Sequence, residues 1–203
     1  MSIHTDHAIE PPQMNTDADW FNVKRGTIEK HTTKQLVAGL SGNLVGVRTR
    51  KSRDFDSYEL HLLIVDGEES YILSGALTYS NDGEPPQLNT WARMLLGRIG
   101  NPANNVTPAD RIRVEIVPRT TNGGNVATLC YVARDGETAP LLERPIETGQ
   151  DLEFAAAHVA FTFPWDSMGM PLDIVVASGA PRKPAAATEP ATAGATADAD
   201  LTF

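Results

Sequence analysis

Leu88, Trp91, Ala92, Leu95, Leu96 and Ile99 fall at i, i+3, i+4, i+7, i+8 and i+11, a single apolar stripe that a helix presents to one core. Gly100 and Pro102 end it. This is the clearest helical period in the 203 residues, and the segments on either side alternate at period two instead. The chain must therefore build sheet on both sides of one helix, which leaves few topologies open.

Three strands are predicted before that helix. In Leu44 to Lys51, Val45, Val47 and Thr49 alternate with Gly46, Arg48 and Arg50, so the outer face of this strand is basic. Tyr58 to Asp66 follows, with Leu60, Leu62 and Ile64 on one face and Glu59, His61, Leu63 and Val65 on the other. Asp66-Gly67-Glu68-Glu69 is a tight-turn sequence leading into a third strand, Ser70 to Leu77. After the helix, Arg111 to Arg119 turns Ile112, Val114 and Ile116 one way and Arg111, Arg113, Glu115, Val117 and Arg119 the other. Gly123-Gly124 marks a hairpin loop, and Val126 to Arg134 is the fifth strand, apolar on both faces. Ahead of the sheet, Leu36, Val37 and Leu40 at helical spacing predict a short helix within Thr27 to Leu40.

The ends differ in kind from this middle. Residues 1–19, with Pro11-Pro12 and scattered polar groups, read as a flexible arm. Folding is expected over 20–178, with the barrel core at about 44–134. From Gly179 the chain is nearly all Ala, Pro and Thr, too poor in large apolar side chains to offset ordering entropy, so 179–203 reads as a disordered tail. Its tip is different again. Asp198 and Asp200 stand before Leu201-Thr202-Phe203, an acidic and apolar end that suits docking into a basic-rimmed pocket of a partner, with Phe203 as anchor. Residues 150–178, with Phe154, Val159, Phe161, Phe163, Trp165, Met168, Met170, Leu172 and Ile174, are too apolar for a linker and read as packing against the domain or as a self-association surface.

Charge matters here by place rather than by sum. The formal net charge is -9, yet within 44–134 ten Arg and Lys oppose ten Asp and Glu, so the excess acid lies outside the sheet region. A single cysteine, Cys130, excludes a disulfide framework and fits a reducing, cytoplasmic setting. No stretch approaches 18 consecutive apolar residues, so no membrane span is expected.

Three strands, a helix and two strands within about 90 residues resemble the OB-fold, a five-stranded Greek-key barrel that binds oligonucleotides or oligosaccharides. An OB-like barrel on a disordered arm ending Asp-Ala-Asp-Leu-Thr-Phe is similar to single-stranded DNA-binding proteins of bacterial and bacteriophage type. The resemblance implies binding of single-stranded DNA without sequence preference in replication, recombination or repair, with replication or recombination proteins recruited through Asp198, Asp200, Leu201 and Phe203. It also leaves room for a homo-oligomer.

The residues supply what such binding needs, cations that follow phosphates and flat groups on which bases stack. Arg48, Arg50, Lys51 and Arg53 cluster on the first strand and its loop, and Arg111, Arg113 and Arg119 on the fourth, placed to flank one groove. Phe55 is an apolar aromatic in a polar loop and the best stacking candidate, with Tyr58, Tyr71 and Tyr131 behind it and His61 on the surface or in the groove. Solvated charge on an ordinary sheet face, and Arg113 paired with Glu115, are the plainer readings of the same residues. A catalytic reading finds little to stand on. The five histidines are dispersed, and there is no GxxxxGK[ST], Cys-x-x-Cys or His-Glu-x-x-His, while Asp54 and Asp56 would need further ligands to hold a divalent cation. No enzyme activity, cofactor or metal is expected. The alternative is a protein-interaction or structural adaptor of a phage that uses the same barrel without nucleic acid.

Overall fold

The computed structural model describes residues 18–52, 57–79, 87–121, 124 and 126–165. Within them the chain is mainly β. It opens with β1 (Asp19–Lys24), β2 (Thr27–Lys30) and β3 (Leu36–Val37), and continues with β4 (Gly39–Lys51), β5 (Tyr58–Asp66) and β6 (Glu69–Ala76). The short pair β7 (Thr78–Tyr79) and β8 (Gln87–Leu88) then leads into α1 (Thr90–Ile99). The hairpin β9 (Arg111–Thr120) and β10 (Val126–Arg134) follows, and α2 (Gly149–Thr162) comes last.

The main sheet has eight strands in the order β10-β9-β4-β5-β6-β1-β2-β3. Three consecutive antiparallel strands, β4, β5 and β6, are followed by a return across α1 that lays β9 antiparallel beside β4. That is the fourth-beside-first order of a Greek key. β1 joins the other side of β6 in parallel. The sheet curls strongly, because the β1–β2 turn and β9, five places apart in the order, come into contact. A Cβ on Gly26 would lie 2.6 Å from Pro118 Cβ. Gly26 and the preceding Arg25 both have positive φ, as a two-residue type I′ hairpin loop requires.

The curl encloses the core. Leu44, Val47, Leu60, Leu62, Ile64, Leu73, Ile112, Val114 and Val132 line its inner side, and both helices fill it. The predicted stripe on α1 is the buried one, with Trp91, Ala92, Leu95, Leu96 and Ile99 all inside and Trp91 Nε1 donating to the Ala76 carbonyl at 2.9 Å. Each such fully buried Leu or Ile contributes roughly 1.5–3 kcal/mol, against about 0–1 kcal/mol for an exposed ion pair. Burial rather than surface charge therefore fixes α1. α2 starts at a capping box between Thr148 and Asp151 and buries Leu152, Ala155, Ala156 and Val159. It accounts for part of the apolar character of 150–178, since Phe154 and Phe161 on the same helix stay exposed, while Met168, Met170, Leu172 and Ile174 lie outside the described residues.

Two expectations are corrected. The helix expected within Thr27 to Leu40 is instead β2, β3 and the start of β4. Ile28 is fully buried and pairs with Val23 on one side and Val37 on the other, and this ladder outweighs the helical spacing of Leu36, Val37 and Leu40, of which Leu36 is 60% exposed. The sheet also extends beyond 44–134, since β4 begins at Gly39 and β1 to β3 add a flank.

Candidate nucleic-acid interface

β4 decides which side chains reach the outer face of the sheet. Its first half runs beside β9 from Gly39 to Asn43, and its register with β5 shifts by one residue between Leu44 and Gly46. This bulge at Val45 reverses the alternation. Leu44 and Val47 both point into the core, whereas Val45 packs with an outer cluster of Leu63, Ile72, Trp165 and Trp20. Val45 therefore does not share a face with Val47, as simple alternation predicts. The same shift pairs Arg48 with His61 and Arg50 with Glu59, turning both arginines outward.

The chain after α2 then crosses β4. Val47 N donates to the Phe163 carbonyl at 3.1 Å, and Pro164 bridges Val47 in parallel. Phe163 is in the core, while Trp165 lies on the outer face directly over Gly46. Arg48 Cζ sits 4.1 Å from the Trp165 ring centroid, in cation–π range. Trp20, one strand beyond β6, meets His61 edge-on with ring centroids 5.4 Å apart.

His61 is only 1% exposed, which corrects its expected place on the surface or in an open groove. Its Nδ1 accepts from Arg48 Nε at 3.3 Å, leaving Nε2–H to donate to Glu59 Oε2 at 3.2 Å, an arrangement a neutral imidazole satisfies. Burial pushes its pKa below the usual histidine range, and the Glu59 hydrogen bond only partly opposes this.

The second basic group behaves differently. Arg111 donates to Asp66 at 2.7 Å and to Asp135 at 3.1 Å, tying the start of β9 to the β5–β6 turn and to the end of β10. This pairing holds the Asp66 carboxyl below the usual carboxylate range. Arg113 pairs with Glu115 at 2.9 Å, and Arg119 is exposed near the hairpin tip. Arg111 lies opposite Asn43, five residues along β4 from Arg48. At about 3.3 Å per residue that is roughly 16 Å. The two clusters share a sheet face but stand at opposite ends of β4 rather than on the two rims of one groove.

Arg50 and Lys51 are exposed at the end of β4. Tyr58 and Tyr71 pack against the main core, which removes them from the open face, and Tyr71 meets Phe21 edge-on. Tyr131 lies on the outer face opposite Glu115. Arg53, Phe55, Asp198, Asp200, Leu201 and Phe203 lie outside the described residues, as do Asp54 and Asp56. Trp20 and Trp165 are the aromatic groups that reading the sequence missed at this face. Alternation within Asp19–Lys24 puts Trp20 and Asn22 on one side and Phe21 and Val23 on the other, which is a usable signal for Trp20. Trp165 follows a helix by three residues and carries no periodic signal.

Among the described residues no three His, Cys, Asp or Glu side chains gather as a metal site would need, and no helix is long and apolar enough to cross a membrane. Comparisons with protein-family models, with curated proteins and with solved structures found no match.

Proposed function

We propose that this chain is a non-catalytic single-stranded DNA-binding protein of OB type, its Greek key β4 to β10 an opened five-strand barrel widened by β1 to β3. The observation that carries the reading is the sharing of one outer sheet face by Arg48 and Arg50 with the partly buried Trp20, the buried Trp165 supporting Arg48 from beneath. Cations and flat rings side by side are what a sequence-tolerant strand site requires. In this reading the protein works in the cytoplasm of a bacterial or phage-infected cell, coats strands during replication, recombination or repair, and recruits partner proteins through Asp198, Asp200, Leu201 and Phe203.

Titration of the full chain with oligo(dT), followed by intrinsic tryptophan fluorescence over a salt series, tests it. Binding should weaken with salt, with a slope of about -0.7 per neutralised phosphate. Replacing Arg48 and Arg50 together by Ala should flatten that slope by about 1.4 if each meets one phosphate. Unchanged affinity and slope in the double variant would remove this face from the site. The second reading, a phage adaptor without nucleic acid, is favoured by one observation, the 88% exposure of Phe161 on α2 with Phe154 one face-repeat before it. Absence of oligo(dT) binding even at low salt would favour it.

A further inference from the structure

The outer face carries a second feature that the strand-binding reading does not use. At the β9–β10 end lies a half-open trough of about 280 Å³ lined by Arg113, Glu115, Tyr131, Ala133, Thr138 and Pro140. Its origin is in the sequence. Arg113 and Glu115 stand two apart on the outer side of β9, opposite Ala133 and Tyr131 on β10, while β4 on the other flank offers only Ser41 and Gly39. Gly39 and Ser41 on one side and Ala133 on the other leave the charged pair in a depression, with the Tyr131 ring as one wall and the 138–140 segment as another. The volume falls just under the roughly 300–1,000 Å³ of pockets for drug-sized ligands. It suits one flat ring system.

The chemistry narrows the ring further. Glu115 and Arg113 approach at 2.9 Å, yet Arg113 Nε is buried without a hydrogen-bond partner, so the pair is close but poorly aligned. A buried donor left in that state gains by turning to a better acceptor. The trough therefore offers a carboxylate acceptor and a guanidinium donor side by side, beside an aromatic face. Guanine matches this order best. Its N1–H and N2–H2 are adjacent donors for a carboxylate, and its O6 and N7 are the acceptors that arginine prefers. The other three bases lack the two adjacent ring and amino donors.

We infer that this trough takes a single guanine base, giving the otherwise sequence-tolerant strand site one position of preference. The inference rests on the strand-binding reading for the source of the base, and a free guanine nucleotide shares the same recognition chemistry. The test compares dT12 with the same oligomer carrying one central dG, on the full chain at fixed salt, and titrates guanosine monophosphate and adenosine monophosphate separately. The dG oligomer should bind at least about fivefold tighter. Glu115→Gln, nearly isosteric and on a solvent-facing side of β9, should abolish that preference while leaving dT12 binding in place. Thr138→Trp, which fills the trough from its exposed wall, should do the same should the first variant prove unstable.

Equal affinity for the two oligomers, with dT12 bound normally, would overturn the guanine site and spare the strand-binding reading. Failure to bind either oligomer would overturn the strand as the source. Guanosine monophosphate, bound by the wild type in preference to adenosine monophosphate and lost in Glu115→Gln, would then keep guanine as the ligand. No binding of either mononucleotide in that case would overturn the site altogether.

Discussion

Gly46→Ala adds one methyl group where the structure has no room for it. A Cβ at this position would stand 2.4 Å from Trp165 Cβ and 2.9 Å from Trp165 Cγ, so the Phe163–Trp165 segment or β4 must move. The φ at Gly46 is not in the left-handed region, so backbone strain does not contribute. Two responses compete. Overpacking that is absorbed by small shifts costs roughly 1–3 kcal/mol. Expelling Trp165 altogether would expose a side chain now 7% accessible. At about 150–250 Å² for an aromatic residue and about 25 cal/mol per Å², that costs roughly 4–6 kcal/mol, and it would also break the cation–π interaction with Arg48. The cheaper response wins, and Gly46→Ala should destabilise the chain by about 1–3 kcal/mol.

Urea denaturation monitored by tryptophan fluorescence reads this as a lower midpoint, and heating should show a fall of about 2–4 °C in Tm per kcal/mol for a chain of this size. A double-mutant cycle makes the cause specific. In a Trp165→Gly background, which removes the Cβ at 2.4 Å along with the ring, the added methyl no longer meets the side chain at 165, so Gly46→Ala should cost close to zero there, giving a coupling of about 1–3 kcal/mol. The same cost in both backgrounds, or a destabilisation below about 0.5 kcal/mol in the wild type, would refute the placement of Trp165 on the outer face of β4.

Two further outcomes follow from titratable groups inside the fold. His61 has a folded pKa below its unfolded value of 6.5, so its contribution to stability is complete above pH 6.5 and is lost as pH falls through the lowered folded value. Urea midpoints measured from pH 7.5 to 5 should decline more steeply for the wild type than for His61→Phe, and Glu59→Gln should lower the His61 pKa further; a His61 resonance titrating at or above 6.5 would contradict the burial. Burial pushes the Cys130 thiol up to about 12, so a thiol reagent should leave the native protein unmodified at neutral pH and label it only at the rate of unfolding, whereas prompt labelling would place Cys130 outside the core.

The parts of the fold that the sequence announces are those in which one side chain in two or three faces a single core. α1, β5 and the β9–β10 hairpin satisfy this, and their bounds fall within a residue or two of the periodic reading. β2 and β3 do not. They are four and two residues long, too short for a period to register; β3 is held by β2, and β2 by β1, a strand whose own partner β6 is some 50 residues away. Gly26 was the one local clue, a residue suited to the positive φ of the hairpin turn that the structure shows there.

The candidate site was legible only in part for a related reason. Arginines at 48, 50, 111 and 113 could be placed on an outer face by parity, and that is where they lie. Parity could not show that Arg111 is held between Asp66 and Asp135, because those acids come from other strands and meet it only through the register. Nor could it show the bulge. Val45, Val47 and Thr49 alternate without a break, and the only mark of the inserted residue is the adjacent apolar pair Leu44-Val45, which a period-two reading started at Leu44 passes over. Yet the bulge is what places Gly46 under Trp165, and it reverses the phase set by the inward Leu44. An unbulged β4 that kept Leu44 in the core would turn Arg48 and Arg50 inward with it, opposite a fully apolar lining, where two unpaired guanidinium groups could not be accommodated. The burial of Leu44 together with the outward arginines thus requires the shift. The irregularity and the proposed strand-binding face have one physical cause.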